Sequence, residues 1–294
     1  MMGMRIWAEH QEKLLPKLRE LTKPGEVSKP SIENFAVVFI EPRCHPSCEY
    51  VLRNFRAALP SIPIRIVHGT ENEEFLKTMV SKIAGEFSFV NCGLADLPPP
   101  SYNTMLTSKK FWNLFTEDNL LIAQSDTMLM DSAEEYFAKI LEKNYAFLGA
   151  PWSYTCHACQ APLDGGCGHM IDQKVVASMA PHMVGNGGLS LRNRSAALRA
   201  LEKYKLEKVE ALASRVFPHA NAAVQEGCTN EDVFFCKSFY GVENMPTRQE
   251  ALEFSIEQVP PFSWNSGPCA IGCHKPWGYM HPALVKGILE KSKF

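Results

Sequence analysis

Residues 35–40 read Phe35-Ala-Val-Val-Phe-Ile40, six apolar residues without a break. A strand with one wet face alternates apolar and polar residues, so this run predicts a strand covered on both faces. Reading onward, Ser47 stands where it can cap a helix whose Val51, Leu52, Phe55 and Leu59 share a face. Ile64–Val67 is a second short apolar run, and Glu71, Glu73 and Glu74 open the next helix, where the positive end of the dipole favours carboxylates. Phe87–Val90 predicts a third strand, Asn103–Phe115 a helix, and Asn119–Ala123 (NLLIA) a fourth strand. Ser132 and Glu135 make a capping box for a helix ending near Lys143, and Tyr145–Leu148 is a fifth strand. Such alternation gives an α/β fold, a mainly parallel sheet between layers of helices. Ligands of these sheets bind beyond the carboxyl ends of the strands. The residues just after strands therefore matter most: Glu41-Pro-Arg43, His68-Gly69 and Gln124-Ser-Asp126-Thr.

Upstream, Met4–Leu21 has helical periodicity that Pro16 should kink or divide. Pro24, Gly25 and Pro30 then separate it from the body, so residues 1–30 read as an N-terminal helical extension to a single domain at 31–294. Downstream, regularity stops. Pro151–Asn186 clusters cysteine, histidine and glycine; Gly187–Leu191 suggests another strand, and two helical segments cover Ser195–Arg215. Thr229 can cap a helix opening at Asn230-Glu-Asp-Val, Thr247 and Glu250 form a capping box, and Ala283–Leu289 is a terminal helix. A regular half (31–150) and an irregular half (151–294) suit a nucleotide-binding half joined to an acceptor-binding half, a division that periodicity alone does not establish.

Thirty basic against thirty-two acidic residues give a net charge of −2. That balance speaks against a nucleic-acid binder and supplies no polybasic membrane patch. No stretch approaches the ~20 apolar residues of a membrane span, and the first twenty residues lack the apolar centre of a signal peptide. The expected location is cytoplasmic, where ten cysteines are buried thiols or metal ligands rather than disulfides.

Asp126 directly follows NLLIA, a position from which a carboxylate can hold a divalent cation against a pyrophosphate; a plain turn or capping Asp is the alternative. Glu231 and Asp232 stand at a helix start, where they can complement the dipole, or one can take a proton from an acceptor hydroxyl. His274, in a glycine- and proline-bounded loop, can complete a metal site or do nothing of the kind. Gly187 and Gly188 permit close backbone approach to a ligand, or simply turn the chain. Cys156, Cys159, Cys167 and His169 have the ligand types of a closed zinc site, although C-x-H is tighter than common second halves. Free thiols are the alternative there. Cys44 and Cys48 read as packing or incidental.

FAVVFIEPR, VLRNF, HGTEN, FW, QSDT, GAPW, GNGGLSLR, NEDVFF and CHKPW occur in an order that resembles an uncharacterised glycosyltransferase-like family of large DNA viruses, bacteria and some eukaryotes. The resemblance spans Phe35–Trp277. It implies the GT-A fold, a nucleotide-sugar-binding αβα sandwich, and transfer of a sugar from a nucleotide-diphosphate donor to a glycan or other hydroxyl acceptor, with Mn or Mg as cofactor; structural zinc is an option raised by the cysteine spacing alone. By that resemblance Asp126 is the metal-binding acid of a D-x-D motif and His274 a late metal ligand. Gly187 and Gly188 belong to the donor-pocket strand, and Asp232, with Glu231 beside it, supplies the base of an inverting enzyme. Glu41, Arg43, His68 and Asn72 would face the nucleotide. One departure is visible: Ser125-Asp126-Thr127 carries one carboxylate, not two. That departure favours a rival, a non-catalytic nucleotide-sugar or carbohydrate-binding module; a zinc-organised interaction protein is a third reading.

Overall fold

The computed structural model describes residues 2–25, 30–151, 185–204, 230–239, 241–257 and 270–294. Six strands, β1 (Phe35–Ile40), β2 (Ile64–His68), β3 (Phe87–Asn91), β4 (Asn119–Ala123), β6 (Phe147–Gly149) and β7 (Leu189–Asn193), form one sheet in the order β3-β2-β1-β4-β7-β6. β1 to β4 run parallel, Val38 lying between Arg65 and Ile122. β7 is antiparallel to both its neighbours, with Leu191 between Leu121 and Leu148.

The continuous apolar run of β1 is explained by two cores. Phe35, Val37 and Phe39 enter one, with the helix Cys48–Ala58; Ala36, Val38 and Ile40 enter the other, with Phe111, Trp112, Phe234 and Phe235. Each such side chain contributes roughly 1.5–3 kcal/mol on burial. The helix Met2–Leu21 carries Pro16 without ending, because Leu14 and Leu18 are buried on either side of it. Its Trp7 joins the first core and lies against Trp277, ring centroids 4.7 Å apart.

Three local expectations fail for identifiable reasons. Ser47 gives its hydroxyl to Gln11 Oε1 and does not cap the following helix. The next box is absent too: the helix Glu134–Leu141 begins without a side-chain cap, and Glu134 accepts from the Ser61 amide and hydroxyl instead. Asn103–Phe115 resolves into two helices, Pro99–Leu106 and Lys109–Trp112, with Ser108 capping the second. The Thr247–Glu250 capping box does form, opening the helix Arg248–Phe254.

A small second sheet positions the site. β5 (Thr127–Leu129) and β8 (Ser255–Ile256) flank β9 (Gly272–His274), with Thr127 opposite His274. The loop expected around His274 is thus partly a strand, held by the buried Met128, Leu129 and Cys273. Among the described residues no helix is long and apolar enough to cross a membrane.

Candidate active site

The carboxyl end of β4 leads straight into Gln124-Ser-Asp126, and the antiparallel β5–β9 pairing brings His274 alongside. His274 Nε2 and Asp126 Oδ1 face each other at 3.3 Å as a buried ion pair, without the geometry of a well-aligned hydrogen bond. The other imidazole nitrogen, Nδ1, is 3.1 Å from Glu257 Oε1, at the end of β8. Burial pulls the His274 pKa down, but the Asp126 and Glu257 carboxylates outweigh it and raise it to about 9. Burial likewise opposes ionisation of Asp126, which the His274 charge and then Lys275 nonetheless hold below the usual carboxylate range.

Beside this pair lies a cavity of about 160 Å³, lined by Gln124, Gly187, Gly188, Asp232 and His274, with amides from Asn103, Asn186 and Asn230. The two glycines are needed for packing. A Cβ on Gly188 would lie 2.2 Å from His274 Nε2, and one on Gly187 would lie 2.3 Å from Glu231 Oε1. The acidic pair divides. Both border the cavity, but the Glu231 carboxylate is taken up in a bidentate ion pair with the buried Arg192, which the Asp232 carboxyl does not join. Asp232 accepts from the Gly187 amide (3.2 Å) and from its own helix at Val233 (2.8 Å). Burial, reinforced by the Glu231 charge and opposed by Arg192, pushes its carboxyl up to about 7.

The remaining predicted residues sit at the ends of β1 and β2. Glu41 is buried and accepts from the Ser125 hydroxyl (2.6 Å) and from Arg43 Nε (2.8 Å), so it links Arg43 to the Asp126 turn. Arg43 is half exposed, with Asp96 at 3.7 Å. His68 and Asn72 are buried: His68 Nδ1 is 2.7 Å from Gly69 O, and Asn72 donates to the carbonyls of Glu41 and Arg43. Cys156, Cys159, Cys167 and His169 lie outside the described residues. Among the described residues, no group of three or more His, Cys, Asp or Glu could enclose an ion.

Sequence reasoning overlooked Gln124, Asn103, Arg192 and Glu257. Gln124 was findable, since it stands two residues before Asp126, where a D-x-D pattern has its first acid. Arg192 ends the GNGGLSLR segment, but its partner lies 39 residues away. Glu257 gave no signal, because its role depends on the β8–β9 pairing.

Residues 98–274, more than half of the chain, match the family described as "Protein of unknown function (DUF5672)". The chain belongs to the DUF5672 family. No curated protein sequence matches it. Its fold is similar to that of mouse xyloside xylosyltransferase 1 in the apo form, at 10% identity over 84% of this chain and 99% of that one, with a TM-score of 0.52. It is similar also to the galactosyltransferase LgtC in complex with donor and acceptor sugar analogs, at 12% identity over 88% and 96%, again with a TM-score of 0.52. The αβα sandwich of this DUF5672 member is therefore a GT-A fold, with a mostly parallel central sheet.

Proposed function

We propose that the chain transfers a sugar from a nucleotide-diphosphate donor to a hydroxyl acceptor, with divalent-metal assistance and inversion at the anomeric carbon. The observation that carries the reading is the convergence of Asp126 Oδ1 and His274 Nε2, a buried ion pair without hydrogen-bond geometry, beside the cavity that Asp232 borders. A carboxylate suits Mn or Mg, whose shells phosphate oxygens and water complete, and an imidazole beside it favours Mn over the harder Mg. Asp126 and His274 would hold the ion, and Glu257 on Nδ1 would fix the tautomer that leaves Nε2 free. Such an ion offsets charge on a departing diphosphate.

The other roles belong to the chain. Asp232, raised to about 7, is poised to accept the proton of an acceptor hydroxyl near neutral pH. Glu41 holds Arg43 towards the nucleotide, and His68 and Asn72 support that surface from within. In this division residues 31–150 serve the nucleotide and 151–294 the acceptor.

The test is calorimetry with UDP, GDP and their sugars, with and without Mn²⁺, followed by NMR of the product anomer. Metal-dependent binding and an inverted product are expected; absence of binding for every nucleotide would overturn the reading, and a retained anomer would overturn the inversion. Gln124 at the first acid position of D-x-D favours a second reading, a binding module without turnover. Tight donor binding with no product on any acceptor would select it.

A further inference from the structure

We infer that Arg192 is a positioning residue, clamping the Gly187 turn to the start of the helix Glu231–Phe239 so that the Asp232 carboxyl is held facing the cavity. The inference rests on the reading of Asp232 as the acceptor's base.

Arg192 lies on β7 with its side chain 1% exposed, and its partner Glu231 is 3% exposed. A buried ion pair confers little stability over a well-packed apolar pair, because both charges must be desolvated. The surroundings would suit apolar residues: the guanidinium lies 4.5 Å from the centroid of Phe147 and 5.7 Å from that of Phe235. Something other than stability should account for the charges. The bonds suggest what it is. Arg192 Nε donates to Ser190 Oγ (2.8 Å), Nη2 to Gly187 O (3.3 Å) and to Glu231 Oε1 (2.9 Å), and Nη1 to Glu231 Oε2. One planar group therefore grips the two backbone segments that hold Asp232: Gly187, whose amide donates to Asp232 Oδ2, and Glu231, its chain neighbour. The grip is close, since no Cβ fits at Gly187. An apolar pair could fill the same space but could not bond Gly187 O.

The two charges also oppose one another at Asp232, Arg192 favouring its ionised form and Glu231 disfavouring it. Among the described residues, the other titratable groups on that side are Tyr102 from the helix Pro99–Leu106, His274 on the same cavity, Cys236 one turn along its own helix, and Tyr279 after β9.

The experiment uses the full chain with Mn²⁺, an identified donor and acceptor, and Asp232→Asn as reference. The double variant Arg192→Met with Glu231→Leu leaves no lone buried charge, so it should fold. Its kcat should fall about 10²-fold, the order of loss expected when a reacting group is misplaced by about 1 Å, with donor KM unchanged. Arg192→Lys keeps the ion pair but not the fork, and should recover part of that loss. The acid limb of kcat/KM should move up in Arg192→Met and down in Glu231→Gln, which reads the two charges at Asp232, whereas the loss of kcat at unchanged donor KM and its partial rescue in Arg192→Lys read its position. Loss of turnover in Asp232→Asn together with wild-type kcat in the double variant and in Arg192→Lys would overturn the inference and leave the base standing. Full turnover in Asp232→Asn would instead remove the base, and the inference with it.

Discussion

Two clusters of buried polar groups sit at the same end of the sheet, and they are built on opposite terms. Beyond β1 and β2 the groups satisfy one another. Asn72 gives both amide hydrogens to carbonyls and accepts from the Gly69 amide at 2.8 Å, and Glu41 is bonded by both Ser125 and Arg43. A Cβ on Gly69 would lie 2.3 Å from Pro42 O and 2.8 Å from Leu94 O, so the backbones there are in close contact. Beyond β4, β7 and β9 the terms reverse. Asp126 Oδ1 and His274 Nε2 meet only as a buried ion pair without hydrogen-bond geometry, and Asp232 is held at a pKa far from the ordinary one. An unsatisfied buried group costs about 1–3 kcal/mol. A fold that closes its polar accounts in one cluster and leaves them open in the next points to the second as the place where a ligand completes the set.

The sharpest way to break this comparison is to remove the proposed base. In Asp232→Asn, turnover on an identified acceptor should fall by roughly 10²–10⁴-fold, the usual contribution of a positioned base, with donor affinity nearly unchanged. Steady-state kinetics alongside calorimetry decide it, and equal loss of binding and turnover would move Asp232 to the donor side. Next in size are the proposed metal ligands. Asp126→Asn and His274→Ala should each weaken Mn²⁺-dependent nucleotide binding by more than the 10–100-fold typical of outer-shell changes, and Glu257→Gln should fall within that range. His274 must lose its proton to bind an ion, so wild-type Mn²⁺ affinity should climb as pH rises towards about 9. A flat profile between pH 6 and 9 would detach His274 from the metal.

The satisfied cluster should answer differently. Asn72→Ala deletes two donors and orphans the Gly69 amide, so it should destabilise the fold by about 2–3 kcal/mol. Metal affinity of the folded fraction should be preserved. Chemical denaturation and Mn²⁺ titration on one preparation separate the two; unchanged stability with lost nucleotide binding would make Asn72 a ligand-facing group.

How far each cluster could be read in advance follows from how local its contacts are. β1 and β4 were legible because an unbroken apolar run such as FAVVFI or NLLIA admits few other structures, and Thr247–Glu250 because a capping box lies within four residues. Ser47 misled because its neighbour in space, Gln11, is distant in sequence, and Ser132 because the helix begins at Glu134 after Ala133 while Glu135 accepts from Lys139. In the site, Asp126, His274 and Asp232 stood out by type and place, whereas the ion pair that takes up Glu231 is set by Arg192, 39 residues away. The β5–β9 pairing that brings His274 to Asp126 joins segments about 145 residues apart, beyond the reach of any periodicity.

The smallest effect tests whether the open cluster is a burden on the fold. Asp232 titrates at about 7 when folded, against about 3.9 for an ordinary aspartate. Between those values the folded chain holds a proton that the unfolded chain has released, so stability falls as pH rises through that window and the full penalty applies above pH 7. The gap corresponds to at most about 4 kcal/mol. The substitution Asp232→Asn removes the charge but keeps only one oxygen for the Gly187 and Val233 amides, which offsets part of the gain. The variant should therefore be more stable than the parent by about 1–2 kcal/mol at pH 8, or about 2–8 °C in Tm, and nearly equal to it at pH 4. Thermal unfolding at both pH values, without added metal, measures the difference. A variant less stable than the parent at pH 8 would show that the ionised Asp232 is a satisfied helix-start residue, and the contrast between the two clusters would then rest on Asp126 and His274 alone.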